Sequence, residues 1–175
     1  MIPVLQAVNS RQKRVGYFLL LIFSVSLLSS WGFKLRGAYE LPAAMKVTYI
    51  ESAQINADLV RTLSIALKAS KIKIVENKSA DAAVLRLYKE HKEKRIVSVD
   101  SQGRARENTL TYALSFSLVA KQPMFEIAEQ TISIERDFIF DPEDVLGNSR
   151  GESQLYEEMQ EDLVRLILLK LQSKA

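Results

Sequence analysis

Thr109-Leu110-Thr111-Tyr112-Ala113-Leu114-Ser115-Phe116-Ser117-Leu118 alternates without a break. In an extended chain successive side chains point to opposite faces, so Leu110, Tyr112, Leu114, Phe116 and Leu118 share one face and Thr109, Thr111, Ala113, Ser115 and Ser117 share the other. The pattern predicts a strand with one face in a core and one that is small and rich in hydroxyls. Its apolar face needs a second layer to cover it.

Strand partners are predicted on both sides. Upstream, apolar residues run from Ala82 through Val84, Leu85 and Leu87 to Val99, interrupted by Lys89-Glu90-His91-Lys92-Glu93-Lys94-Arg95. That charged middle is incompatible with burial on both faces, so the strand either bulges there or protrudes into solvent. Ser101-Gln102-Gly103 joins the two strands as a hairpin turn, with Gly103 free to take a positive φ. Downstream, Lys121-Gln122-Pro123 breaks the alternation, and Ile127 to Phe140 resumes it with Ile132, Ile134, Phe138 and Phe140. A further strand is expected at Met45-Lys46-Val47-Thr48-Tyr49-Ile50, after Pro42, and Ile72-Lys73-Ile74-Val75 is a short apolar stretch.

Two helices supply the covering layer. Asn56 is placed to cap the first, whose Leu59, Leu63, Ala66 and Leu67 recur at helical spacing, with Arg61, Ser64 and Lys68 turned away. Ser149-Arg150-Gly151-Glu152 has the form of a capping box for the second. Leu155, Met159, Leu163, Leu166, Ile167 and Lys170 mark its face, over about 20 residues or roughly 30 Å. Asp141-Pro142-Glu143-Asp144 reads as a turn with a helix-capping role rather than a calcium loop, because it lacks the alternating ligands and the glycine. The order strand, helix, several antiparallel strands, helix predicts an α+β sandwich with both helices on one face of a sheet.

The first 30 residues have a different character. Arg11, Lys13 and Arg14 precede an apolar run from Val15 to Leu28, the charged and greasy regions of a secretory signal. The run is short for a spanning helix. Leu27-Leu28-Ser29-Ser30 would suit a lipoprotein signal if a cysteine followed, but the position holds Trp31 and the chain has no cysteine. We therefore expect a signal or anchor segment at 1–30 without a lipidation site, and a single exported domain at 31–175. The formal charge of +3 belongs to the leader: without it 21 Lys+Arg, three fewer than the whole chain's 24, face 21 Asp+Glu. Bulk charge thus gives no reason to expect a nucleic-acid partner. About 145 residues suit one core, unaided by disulfides.

The inventory for catalysis is thin. His91, the one histidine, sits in a lysine-rich stretch and reads as a solvated strand residue. No metal-binding pair, nucleophile elbow, phosphate loop or cofactor motif is present in the sequence. Binding chemistry is better represented. Arg104 and Arg106 flank the Gly103 turn and Arg150 precedes the last helix; guanidinium groups grip phosphates bidentately, though solvated turn residues have the same composition. The hydroxyl face, with Thr111, Ser115 and Ser117, would meet water or the polar lumen of a large outer-membrane barrel.

In order along the chain, Gly32-Phe33-Lys34-Leu35-Arg36-Gly37, Met45-Lys46-Val47, Gln102-Gly103-Arg104-Ala105-Arg106-Glu107 and Ile134-Glu135-Arg136-Asp137-Phe138-Ile139-Phe140 form a recognisable set. Leu146, Gly147, Glu158-Met159 and a leucine-rich terminal helix complete it. The chain resembles the LPS-assembly lipoprotein family LptE over nearly all of its exported body. The resemblance implies two helices on one face of a mostly antiparallel four-stranded sheet. It also implies a non-enzymatic, membrane-associated role at the periplasmic side of the outer membrane, inside the barrel of an LptD-type partner and in contact with lipopolysaccharide. The family's lipopolysaccharide contacts are basic residues in the hairpin turn and ahead of the last helix; here these regions offer Arg104, Arg106 and Arg150, with Gln102 immediately before the glycine. The departure is Trp31, where the family carries its acylated cysteine. Retention then falls to the partner barrel, to an uncleaved anchor, or to a cysteine replaced at this one position. The competing expectation is a free periplasmic ligand-binding module or small hydrolase, which would need a deep apolar pocket with convergent titratable groups.

Overall fold

The computed structural model of the protein describes residues 39–141 and 143–174. The leader at 1–30, Trp31, the Gly32 to Gly37 run and Pro142 lie outside the described residues. A 3-10 turn at Ala43–Met45 leads into β1 (Val47–Ser52), followed by α1 (Ala57–Ala69), β2 (Lys73–Val75), β3 (Ala83–Val99), β4 (Ala105–Lys121), β5 (Met124–Ile139) and α2 (Val145–Gln172).

The sheet has five strands in the order β2-β1-β3-β4-β5. This corrects the expectation of four mostly antiparallel strands, because β1 pairs parallel with both β2 and β3. The cause lies in the connections. A helix between neighbouring strands carries the chain back to its starting end, so β1-α1-β2 is a parallel unit. The loop at 76–82 then makes a second return to the start of β3. β2 is only three residues long, too short to register as alternation. The strand expected from Met45 also begins later, since Met45 is buried in the 3-10 turn and its carbonyl accepts from the Thr48 hydroxyl at 2.7 Å.

β3 and β4 form a hairpin of two 17-residue strands, roughly 55 Å long at 3.3 Å per residue. The charged middle of β3 bulges, as one of its two sequence readings required. Tyr88 pairs with Ser115 but His91 with Ala113, and Lys89 takes φ 55°. The extra residue reverses the facing of the strand from Glu90 to Ile96, where the register shifts again.

Both helices cover one face. Leu59, Leu63 and Leu67 of α1 pack with Val164, Ile167, Leu168 and Leu171 of α2 over Leu85, Leu87, Leu114, Phe116 and Leu118. A second cluster joins Met159 and Leu163 to Leu110, Tyr112 and Ile134. The whole apolar face of β4 is thus buried, as its alternation requires. Asn56 caps α1 by accepting from the Asp58 N–H at 2.8 Å. The start of α2 departs from expectation: Asp144 is the cap, accepting from the Gly147 N–H at 2.8 Å, and the helix runs for 28 residues. Ser149 and Glu152 therefore lie inside the helix instead of forming a capping box. The Asp141 turn feeds this cap, with the Asp141 carboxylate accepting from the Glu143 N–H at 2.9 Å.

Candidate functional site

The β3–β4 turn, the end of β5 and the start of α2 meet at one end of the sheet. Phe140 donates its N–H to the Arg106 carbonyl at 2.8 Å, which fastens the end of β5 beside the base of the turn. The buried Asn148 clamps the next step: its Oδ1 accepts from the Asp141 N–H at 3.0 Å while its Nδ2 donates to the Asp141 carbonyl. Gly151 completes the packing, since a Cβ there would stand 3.2 Å from the Phe138 ring. These contacts bring Arg104, Arg106 and Arg150, separate in sequence, to the same end of the fold.

The three arginines differ in what they are free to do. Asp100 organises the turn, accepting the N–H groups of Gln102 and Arg104 at 2.9 Å each and the Arg104 Nε at 2.7 Å. Gly103 takes φ 77°, where a side chain would be strained. The Arg104 backbone N–H, with its guanidinium and the Gln102 N–H, holds the Asp100 carboxyl below its ordinary value. Arg104 is therefore tied to the turn through its backbone N–H and Nε, while its two Nη groups have no partner among the described residues. Arg106 and Arg150 are exposed and make no ion pair among the described residues.

Exposed apolar side chains share this end of the fold. Ile96, Val97, Val99, Ile139 and Leu146 are all largely exposed, Ile139 by 74% and Leu146 by 73%. Arg106 and Ile139 line a shallow recess of about 310 Å3 with Asp100, Arg104, Phe140 and Asp141. Arg106 and Ile139 also line an adjoining one with Ser98, Val99 and Glu107. The surface mixes fixed positive charge with apolar area, the combination that suits an amphiphile bearing phosphates.

The helix-free face carries the hydroxyl row. Thr111 and Ser117 are half-buried, whereas Ser115 is only 2% exposed and shares a 2.7 Å hydrogen bond with Thr131. Ser115 lies between Tyr88 and Thr131, whose longer side chains shelter it. His91 is on the same face, exposed, with Nε2 3.5 Å from Glu93, consistent with a solvated strand residue.

Two features escaped the sequence reading. Glu90, turned toward the helices by the Lys89 bulge, accepts from the Tyr112 hydroxyl at 2.7 Å and from the Asn56 N–H at 2.6 Å. Lys92 follows on that side, its Nζ 4.5 Å from the Tyr112 ring centroid and 5.2 Å from that of Tyr156. At the other end of the sheet, Lys78, Arg86 and Lys121 surround a cleft on the helix-free face. Only the fold brings these residues together.

Residues 43–171 match the LptE family, described as lipopolysaccharide-assembly. The chain is 29% identical over 153 residues to the LPS-assembly lipoprotein LptE of Photorhabdus laumondii subsp. laumondii, covering 87% of this chain and 83% of that one. Among solved structures it is similar to rare lipoprotein B of Shewanella oneidensis, with a TM-score of 0.65 and 28% identity over 73% of this chain and 94% of that one. Lipoprotein B of Nitrosomonas europaea gives a TM-score of 0.61 and 30% identity, over 78% and 88%.

Proposed function

The chain belongs to the LptE lipopolysaccharide-assembly family, and on that premise we propose that it is a non-enzymatic subunit of the outer-membrane lipopolysaccharide export translocon. In this reading it sits within an LptD-type barrel, helps the barrel assemble, and meets lipopolysaccharide with the hairpin end. The observation that carries the reading is the juxtaposition of the exposed Arg106 with Val99 and Ile139 at the hairpin end of the sheet, the end at which Arg150 opens onto the first turns of α2. Guanidinium groups take the phosphates of a glycolipid and the exposed aliphatic groups take its acyl chains. Arg104 holds the turn that presents them.

The helix-free face at the middle of β4, where Thr111 is accessible, is the surface for the polar wall of the barrel. The leader at 1–30 takes the chain across the inner membrane, and the domain works on the periplasmic side of the outer membrane. With tryptophan at position 31 there is no thiol to acylate, so retention falls to the barrel or to an uncleaved leader.

The test is affinity purification of a C-terminally tagged chain from outer membranes of its native cell, with mass spectrometry of its companions and of its mature N-terminus. Recovery with a large barrel protein and lipopolysaccharide is expected. Recovery as a lone soluble periplasmic protein would overturn the reading in favour of a free binding module.

A further inference from the structure

The cleft at the opposite end of the sheet has its own chemistry. It lies where β3 begins and β4 ends, with Val84 opposite Val119 and Arg86 opposite Ser117 in the register. Its volume is about 280 Å3. Val84 and Val119 give it an apolar floor, Ser117 a hydroxyl, and Lys78, Arg86 and Lys121 three positive charges. Lys78 arrives on the 76–82 loop, which crosses the face away from the helices: its Nζ stands 3.5 Å from Glu51, on the side of β1 opposite the buried Thr48.

Glu51 is the one carboxylate that the described ion pairs set against this group. It accepts from the Arg86 Nε at 2.9 Å and from its Nη2 at 3.5 Å, which aligns the guanidinium and leaves its remaining nitrogen uncommitted. Lys121 has no ion-pair partner among the described residues. Lys78, Arg86 and Lys121 therefore outnumber Glu51, their one ion-paired carboxylate, in a concave site lined by the Ser79 and Ser117 hydroxyls, with Glu126 opposite Val119 on the neighbouring strand. The position is distinct from the hairpin turn, since the 16 residues from Val84 to Asp100 span roughly 50 Å along the strand.

We propose that this cleft is a second anion site, built for a phosphate ester. Three cations converging from the crossover loop, β3 and β4 suit a tetrahedral oxyanion better than a planar carboxylate, and the Val84 and Val119 floor takes the carbon skeleton that an ester carries. A lipid headgroup and a free phosphate ester share this chemistry.

The experiment titrates the isotope-labelled full chain, in a non-ionic detergent micelle at constant ionic strength, with inorganic phosphate and in parallel with acetate. Saturating amide shifts at Ser117, Val119 and Lys121 with phosphate, at least tenfold weaker with acetate, are expected. In Lys78→Ala/Lys121→Ala the affinity falls at least tenfold while shifts elsewhere match the parent, which separates loss of the site from loss of the fold. An Arg106→Ala chain retains the response, so the outcome does not depend on the function proposed for the hairpin end. Replacing phosphate by phosphatidylglycerol in the micelle identifies the source: the same amides respond to a lipid headgroup, and stay unmoved if the ligand is a free phosphate ester. Equal response to acetate, shifts spread over all basic residues, or an unchanged double variant would overturn the proposal.

Discussion

Tyr112 on β4 donates its hydroxyl to Glu90 on β3 across 2.7 Å, and the same carboxylate accepts the Asn56 N–H at the cap of α1. A fully buried phenol thus joins the central strand to the start of a helix, through a residue that faces inward only because Lys89 bulges. Removing the hydroxyl in Tyr112→Phe deletes a hydrogen bond to a charged acceptor, with an expected loss of about 1.5–3 kcal/mol in urea unfolding. Burial, then Glu90, raises the Tyr112 phenol well above its ordinary value of 10.0. The folded state therefore holds this proton where the unfolded chain releases it. The stabilisation is complete below pH 10 and declines above it, by up to about 1.4 kcal/mol per pH unit. Stability measured from pH 9 to 11 should fall for the parent and fall less for Tyr112→Phe. Parallel alkaline limbs would show that Tyr112 is not the group responsible.

The start of α2 offers a clean choice between two caps. The Asp144 carboxylate accepts the Gly147 N–H, so Asp144→Ala should lower stability by about 0.5–2 kcal/mol. Ser149, inside the helix and exposed, should tolerate alanine within about 0.5 kcal/mol. Thermal unfolding of the two variants decides the matter, and a larger loss at Ser149 would restore the capping box.

Arg104 and Arg106 should behave differently although only one residue separates them. Arg106→Ala, with no ion pair to lose among the described residues, should weaken lipopolysaccharide binding and flatten its salt dependence without changing stability. Arg104→Ala should chiefly loosen the turn, seen as broadening of the Gly103 amide signal. The lowered Asp100 carboxyl sets the acid limit of that turn. Its contribution is present above the ordinary carboxyl value of 3.8 and is lost as pH falls through the lower folded value. The Gly103 amide should therefore keep its native shift through pH 3.8 and lose it only as pH falls through the lower folded value. Equal binding losses in both variants with an intact turn would assign Arg104 to the ligand instead.

Much of this was legible in the sequence because periodicity reports burial. The alternation at 109–118 gave the buried face of β4, and helical spacing gave Leu59, Leu63 and Leu67. The parallel half of the sheet was not legible: Lys73-Ile74-Val75 is too short to show a period, and pairing direction depends on the route of the chain. The capping box failed because a local pattern at Ser149 competes with Asp144, and Asp144 received a turn that already bonds back to Asp141. The turn arginines were visible, but the tie between Arg104 Nε and Asp100 was not, since i,i+4 spacing in a hairpin acquires meaning only once the turn type is known. Lys78, Arg86 and Lys121 were invisible for a simpler reason: they come from three separate segments.

The hydroxyl face can be tested at Thr111. Ser115, in the middle of the row, is a poor probe, because a bulky residue at a site 2% exposed and bonded to Thr131 would disturb the isolated fold as well as any interface. Thr111 is half-buried and lies between Glu93 on β3 and Glu135 on β5. An arginine at this position gains two carboxylate neighbours across the strands, so Thr111→Arg should unfold within about 0.5 kcal/mol of the parent. Against a barrel wall the same long charged side chain has no room and no solvent. Co-purification of the tagged variant with an LptD-type barrel should drop at least tenfold while the isolated domain keeps its thermal midpoint. An undiminished complex would move the interface off the helix-free face and onto the helices, where Ile65 and Leu169 are the exposed apolar residues left to carry it.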